Sequence, residues 1–131
     1  MSPDDSVMIH FDRCAPYLER AIAYSDGDYT LEEVRERCES GEFQFWPGRQ
    51  GCVVTMLATY PRTKACISLF TAGDDPDELV AIYKCIMAWA KSIGCSRLTG
   101  YGRPGWARHR LTRETGFKPK NAVIMEVSLD G

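Results

Sequence analysis

The chain has 131 residues, 44% of them hydrophobic and 26% charged, and a net charge of −2. That length predicts one domain over 1–131, able to bury about two-thirds of its unfolded surface. The composition excludes a disordered chain, and no apolar run approaches the ~20 residues of a membrane span.

The first residues, Met1-Ser-Pro-Asp-Asp5, are acidic and lack the basic and apolar parts of a signal peptide, which predicts a cytoplasmic protein. The cysteines at 14, 38, 52, 66, 85 and 95 lie ten or more residues apart, most of them inside apolar runs. They read as buried free thiols in a reducing compartment and not as a disulfide framework. There is no Cys-x-x-Cys, and His10 and His109 are isolated, so no metal site is expected.

In chain order, the apolar run Val7–Phe11 predicts an opening strand. Cys14–Tyr24 predicts a helix with Pro16 in its first turn and Leu18, Ala21 and Ile22 on one face. Thr30 and Glu33 have the spacing of a capping box. It opens a short helix with Leu31, Val34 and Cys38 inward, ended at Ser40-Gly41. Phe43 and Phe45 alternate along Glu42–Trp46, Pro47–Gly51 is a hairpin turn, and Cys52–Tyr60 is a second strand. Pro61–Lys64 turns into a third, Ala65–Thr71. Asp75, Pro76 and Glu78 then fit the N-cap, first and third positions of a helix over 76–93, whose apolar stripe runs from Leu79 to Ile93 and stops at Gly94. Ser96–Tyr101 is a strand reached by a short crossover, which predicts a parallel neighbour. Trp106–Thr115 is a basic helix ended by Gly116, and Asn121–Leu129 is a last strand with Val123, Met125, Val127 and Leu129 in alternation. The fold class is therefore α/β: a mixed, mainly antiparallel sheet with one parallel crossover and flanking helices.

Charge is polarised along the chain. Residues 1–46 hold eleven acids against four bases, whereas residues 97–120 hold seven bases and one acid, Glu114. Two solvated faces explain this, and so does a basic surface that meets an acidic partner or a second copy.

Three patterns taken with this element order resemble the GNAT acetyltransferase superfamily. Two helices precede an antiparallel meander that feeds a long helix. Ala90-Lys-Ser-Ile-Gly94-Cys-Ser-Arg-Leu98 is similar to the family's Ala-x-x-x-Gly-x-x-x-Leu, and Ala107-x-x-x-Leu111-x-x-x-x-Gly116-Phe117 to its last-helix pattern. The resemblance implies acetyl-CoA held by an Arg/Gln-x-x-Gly-x-Gly/Ala loop at the start of the long helix, and a tyrosine general acid in the last helix. Both depart here. Counting back from Gly94, the loop falls on Asp74, Asp75, Pro76, Asp77, Glu78 and Leu79, with acids where a base and glycine belong and a proline that lacks an N–H. Each carboxylate within about 4 Å of a pyrophosphate costs roughly 1 kcal/mol in water. The same acids stabilise a helix N-terminus. The expected tyrosine position holds Thr112, too weak an acid to protonate a thiolate.

The chain is also similar to the GNAT-like proteins of tailed bacteriophages and prophages that lack the acetyl-CoA motif. The features are Phe43-x-Phe45-Trp46 before a Pro-Gly turn, Tyr60-Pro-Arg62, Ala88-Trp-Ala90 and Gly105-Trp-Ala-Arg108. That implies a non-catalytic protein with no cofactor, acting through a protein partner or self-association, in the bacterial host's cytoplasm or the virion. Its contact residues would be Trp46, Trp106, Arg103, Arg108, Arg110 and Arg113. The alternative is an N-acetyltransferase with a degenerate loop. Acetyl-CoA would then pair with backbone near Phe70, Ala72 and Gly73, with Arg103, Arg108 or Arg110 on its phosphates and Tyr101 or Tyr60 replacing the acid. Nucleic-acid binding through 97–120 is a third reading, disfavoured by the net charge of −2.

Overall fold

The computed structural model describes residues 5–25, 27–100, 110–120 and 124–130. Asp5–His10 is a 3-10 helix that runs directly into α1 (Phe11–Ala23), so the opening strand expected at Val7–Phe11 does not form. The reason lies in spacing. Phe11, Cys14 and Leu18 continue one buried helical stripe upstream, with Val7 and Met8 packed against it. Pro16 therefore falls inside the helix instead of in its first turn.

The second helix, α2 (Leu31–Ser40), begins as its sequence dictates. The Glu33 N–H donates to the Thr30 hydroxyl at 3.1 Å, the Thr30 N–H donates to the Glu33 carboxylate at 2.9 Å, and Gly41 closes the helix at φ 86°. Strands β1 (Phe43–Pro47), β2 (Gly51–Thr59) and β3 (Lys64–Gly73) form the antiparallel meander. After α3 (Pro76–Ser92), β4 (Arg97–Gly100) joins β3 in parallel, giving the order β1-β2-β3-β4. The short α4 (Arg110–Thr115) follows.

Alternation along the strands divides the core into two layers. Phe43, Phe45, Cys52, Val54, Phe70 and Ala72 pack with α1 and α2. Trp46, Val53 and Cys66 face the other way, onto Leu79, Ile82, Tyr83 and Ile86 of α3 and Leu111 of α4. One irregularity matters for the site. Val54 pairs with Phe70 but Thr55 pairs with Ser68, so Leu69 is an extra residue in β3. Such a bulge bends its strand.

Two expectations are corrected. Trp46 is 0% exposed and is not a surface contact residue. Its ring meets Trp89 edge-on at 5.4 Å, and its Nε1–H donates to the Thr55 hydroxyl (3.0 Å), which donates to the Gln44 side-chain oxygen (2.9 Å). Strand alternation carries it into the α3 layer, whatever the turn beside it. The last strand is also not formed within residues 124–130, which have no regular structure. Ile124, Met125, Val127 and Leu129 stand 71 to 90% exposed there. Among the described residues, no strand runs beside them to complete a ladder. No helix among the described residues is long and apolar enough to cross a membrane.

Two measurements check this account. Trp46→Ala is expected to lower unfolding stability by about 3–5 kcal/mol in urea, as a buried aromatic does and a surface one does not. The Glu33 carboxyl pKa is held below its ordinary value, chiefly by the bond from the Thr30 N–H. Its cap is therefore intact above the unfolded-chain pKa and lost as pH falls through the lowered one. Amide-exchange protection in the first turn of α2 is expected to hold through mild acid and collapse below the ordinary carboxylate range.

Candidate functional site

A strand that ends against a helix N-terminus leaves up to four helix N–H groups without intrahelical partners, and these can bind an anion. At the β3–α3 junction the chain itself takes up most of them. Pro76 has no N–H. The Asp75 carboxylate accepts from the N–H groups of Asp77 (3.0 Å) and Glu78 (3.4 Å), and the Leu79 N–H already donates to the Asp75 carbonyl (3.1 Å). The preceding acid, Asp74, pairs with Arg20 of α1 at 3.3 Å, with both side chains more than half exposed.

Glu78 does something the sequence did not announce. Its two carboxylate oxygens accept from the consecutive N–H groups of Arg49 (2.8 Å) and Gln50 (2.9 Å) in the β1–β2 turn. Consecutive amides of this kind form an anion nest, and here a side chain of α3 fills it. Gly48 makes room: a Cβ on it would overlap the Glu78 carboxyl group. Gly73 is explained the same way. Its φ is 144°, and a Cβ there would crowd the Gln50 carbonyl at 2.7 Å, so strand packing alone requires the glycine.

The other expected positions separate. Phe70 and Ala72 turn their side chains into the α1–α2 layer. Tyr101, Arg103, Trp106 and Arg108 lie outside the described residues, as does the Arg110 side chain, whereas Arg113 is exposed on α4. Thr112 is half-buried on that helix. Tyr60, the other candidate acid, is 46% exposed at the β2–β3 turn under the Arg97 guanidinium.

One polar cluster escaped sequence reasoning. The Tyr83 hydroxyl lies 2.6 Å from the Ser68 hydroxyl and 2.5 Å from that of Thr71. Burial pushes the Tyr83 pKa above its ordinary value. Tyr83 reads in sequence as one more apolar-stripe residue, and only the Leu69 bulge brings Ser68 and Thr71 to it. The cluster sits where β3 runs on to Gly73, past its last described pair with β4, Ser68↔Gly100. A concavity of about 360 Å³ lies among the 3-10 helix, the β1–β2 turn and α3, with His10, Arg13, Gly48 and Glu78 in its lining. Arg13 spans it, donating to the Gly48 carbonyl at 2.7 Å with its other nitrogen 2.9 Å from His10 Nδ1. No group of His, Cys, Asp and Glu among the described residues could hold a metal ion.

No family model and no curated protein matches this sequence. Solved structures do match in shape. A protein from Thermus thermophilus superposes over 98% of this chain and 96% of its own, with TM-score 0.68 and 14% identity. A "possible acetyltransferase" from Clostridium difficile 630 covers 95% and 94%, with TM-score 0.57 and 8% identity. A "transcriptional regulator" from Bacillus halodurans C-125 covers 98% and 97%, with TM-score 0.59 and 12% identity. The fold is GNAT-like; at such identities the likeness carries the fold alone.

Asp75→Ala is expected to reduce stability by about 1 kcal/mol, the ordinary worth of an N-cap. Glu78→Ala is expected to raise amide exchange at Arg49 and Gln50, at the far side of the turn, as well as in α3. Exchange confined to α3 would show that the carboxylate does not hold the turn.

Proposed function

We propose that this GNAT-fold protein works by binding another protein, or a second copy of itself, and not by acetyl transfer. The observation that carries this reading is the closed N-terminus of α3. Pro76 removes one of the four donors, and the Asp75 carboxylate takes two more. The nearest nest of free amides is filled by Glu78. An incoming pyrophosphate would meet carboxylates where it needs N–H groups. For contact the chain offers the exposed apolar residues Ile124, Met125, Val127 and Leu129. Exposed apolar side chains grouped in one short segment give a partner something to pack against. The resemblance to bacteriophage GNAT-like proteins extends the proposal to a role in virion assembly or structure.

A second reading keeps the enzyme. The Leu69 bulge bends β3, whose edge continues through Leu69–Gly73 beyond its last described pair with β4, Ser68↔Gly100. The pantetheine arm of acetyl-CoA could pair with that edge, with arginines outside the described residues on its phosphates.

Isothermal titration with acetyl-CoA separates the two. No saturable heat is expected up to millimolar ligand. A micromolar Kd, with amine acetylation lost on replacing Arg103, Arg108 and Arg110, would establish the enzyme instead. In parallel, Val127→Asp is expected to reduce concentration-dependent association of the full chain in sedimentation.

A further inference from the structure

The concavity among the 3-10 helix, the β1–β2 turn and α3 has apolar walls and a basic rim. Val7 is half-buried and Ile82 buried in its lining, with Ala81 beside them on α3. His10, Arg13 and Arg49 supply the bases, and both arginines are exposed. Glu78, an acid in the same lining, is already engaged by the Arg49 and Gln50 amides. None of the ion pairs among the described residues includes Arg13 or Arg49. Arg13 contacts the Gly48 carbonyl and His10 Nδ1, neither of which neutralises it. The concavity therefore suits a carboxylate carried on an apolar body.

The chain carries such a group itself. Ile124, Met125, Val127 and Leu129 stand 71 to 90% exposed. Glu126 and Asp130 are exposed acids in the same segment, and residues 124–130 contain no base. None of those residues lines the concavity of its own chain.

We infer that the 124–130 segment of one copy docks in this concavity of a second copy. Its apolar side chains pack on Val7, Ala81 and Ile82, and the Glu126 carboxylate pairs with Arg13 and Arg49.

This docking rests on the reading above of a chain that binds its own copies, and it names the two surfaces that meet. Each surface supplies what the other lacks. On the segment, four large apolar side chains stand in water, and removing them from it favours association. In the concavity, two guanidinium groups stand without a carboxylate above an apolar wall. Alternation along an extended segment puts Met125, Val127 and Leu129 on one side and Glu126 on the other. The apolar side chains can thus enter while Glu126 stays at the rim, where the arginines are. Size agrees as well, since about 360 Å³ admits a few side chains of an extended segment and excludes a folded element. Arginine can hold a carboxylate through two parallel N–H bonds, so Glu126 sets the register of the segment. Every copy carries both halves, so two chains can exchange segments reciprocally in a closed two-fold dimer.

The test is sedimentation of the full-length chain over a range of concentrations, with Cys85 as a local reporter. Its half-buried thiol lines the concavity, whereas the half-buried Cys95 does not. Expected for the wild type is association, with alkylation of Cys85 by iodoacetamide slowing as the protein is concentrated and that of Cys95 unchanged. Arg49→Glu and Glu126→Arg change exposed side chains, and each is expected to weaken association about fivefold, as loss of an exposed charge pair does. An equimolar mixture of the two variants should recover it, because each acid then meets an arginine. If the variants fail to fold, the Cys85 measurement on the wild type decides. Association untouched by both charge reversals, with Val127→Asp still effective, would overturn this docking and leave self-association in place. A chain that stays monomeric at every concentration would overturn both. Cys85 reactivity that does not change with concentration would overturn the docking too, by showing that no second copy covers the concavity.

Discussion

The carboxylate of Glu78, seated on the amides of Arg49 and Gln50, is the contact on which the rest of this end of the molecule depends. It ties the first turn of α3 to the β1–β2 turn, two segments that are 28 residues apart in sequence. Around it the parts fit in order. Gly48 lacks a side chain because the carboxyl occupies that space. The turn closes with the Gly48 N–H on the Gly51 carbonyl at 2.8 Å. Gly51 and Gly73 sit opposite each other at the end of the β2–β3 ladder, where a Cβ on either would strike the other strand. Charge-assisted bonds of this kind are stronger than neutral ones, and two from one carboxylate also fix orientation.

The four acids of the β3–α3 junction thus do different jobs. Asp75 caps the helix, Glu78 anchors a distant turn, and Asp74 reaches α1 across an exposed ion pair of small energetic worth. Asp77 stands in the first turn, where negative charge suits the helix dipole. A run that reads in sequence as a spoiled phosphate loop is, in three dimensions, a set of internal contacts.

Much of this was legible in the chain because it is local. The Thr30–Glu33 box, the Asp75-Pro76 start, the meander and the parallel crossover all rest on spacing of a few residues, and all formed. What failed or stayed hidden depends on partners far away. Trp46 was misjudged from its neighbouring turn, whereas alternation along β1 sends it to Trp89 on another element. Val7–Phe11 is apolar enough for a strand, but its helical continuity with Cys14 and Leu18 decides otherwise. The Glu78 anchor and the Tyr83–Ser68–Thr71 cluster could not be found by motif. Each joins separate elements, and the cluster depends on a bulge that periodicity does not reveal.

Gly48 has a consequence for how this fold can change. Acids that merely decorate a helix N-terminus can be replaced one at a time. Here removal of Glu78 strips the β1–β2 turn of its acceptor, and a side chain introduced at Gly48 forces the carboxylate to shift. The two segments are therefore mechanically coupled: a change on either side is felt on the other.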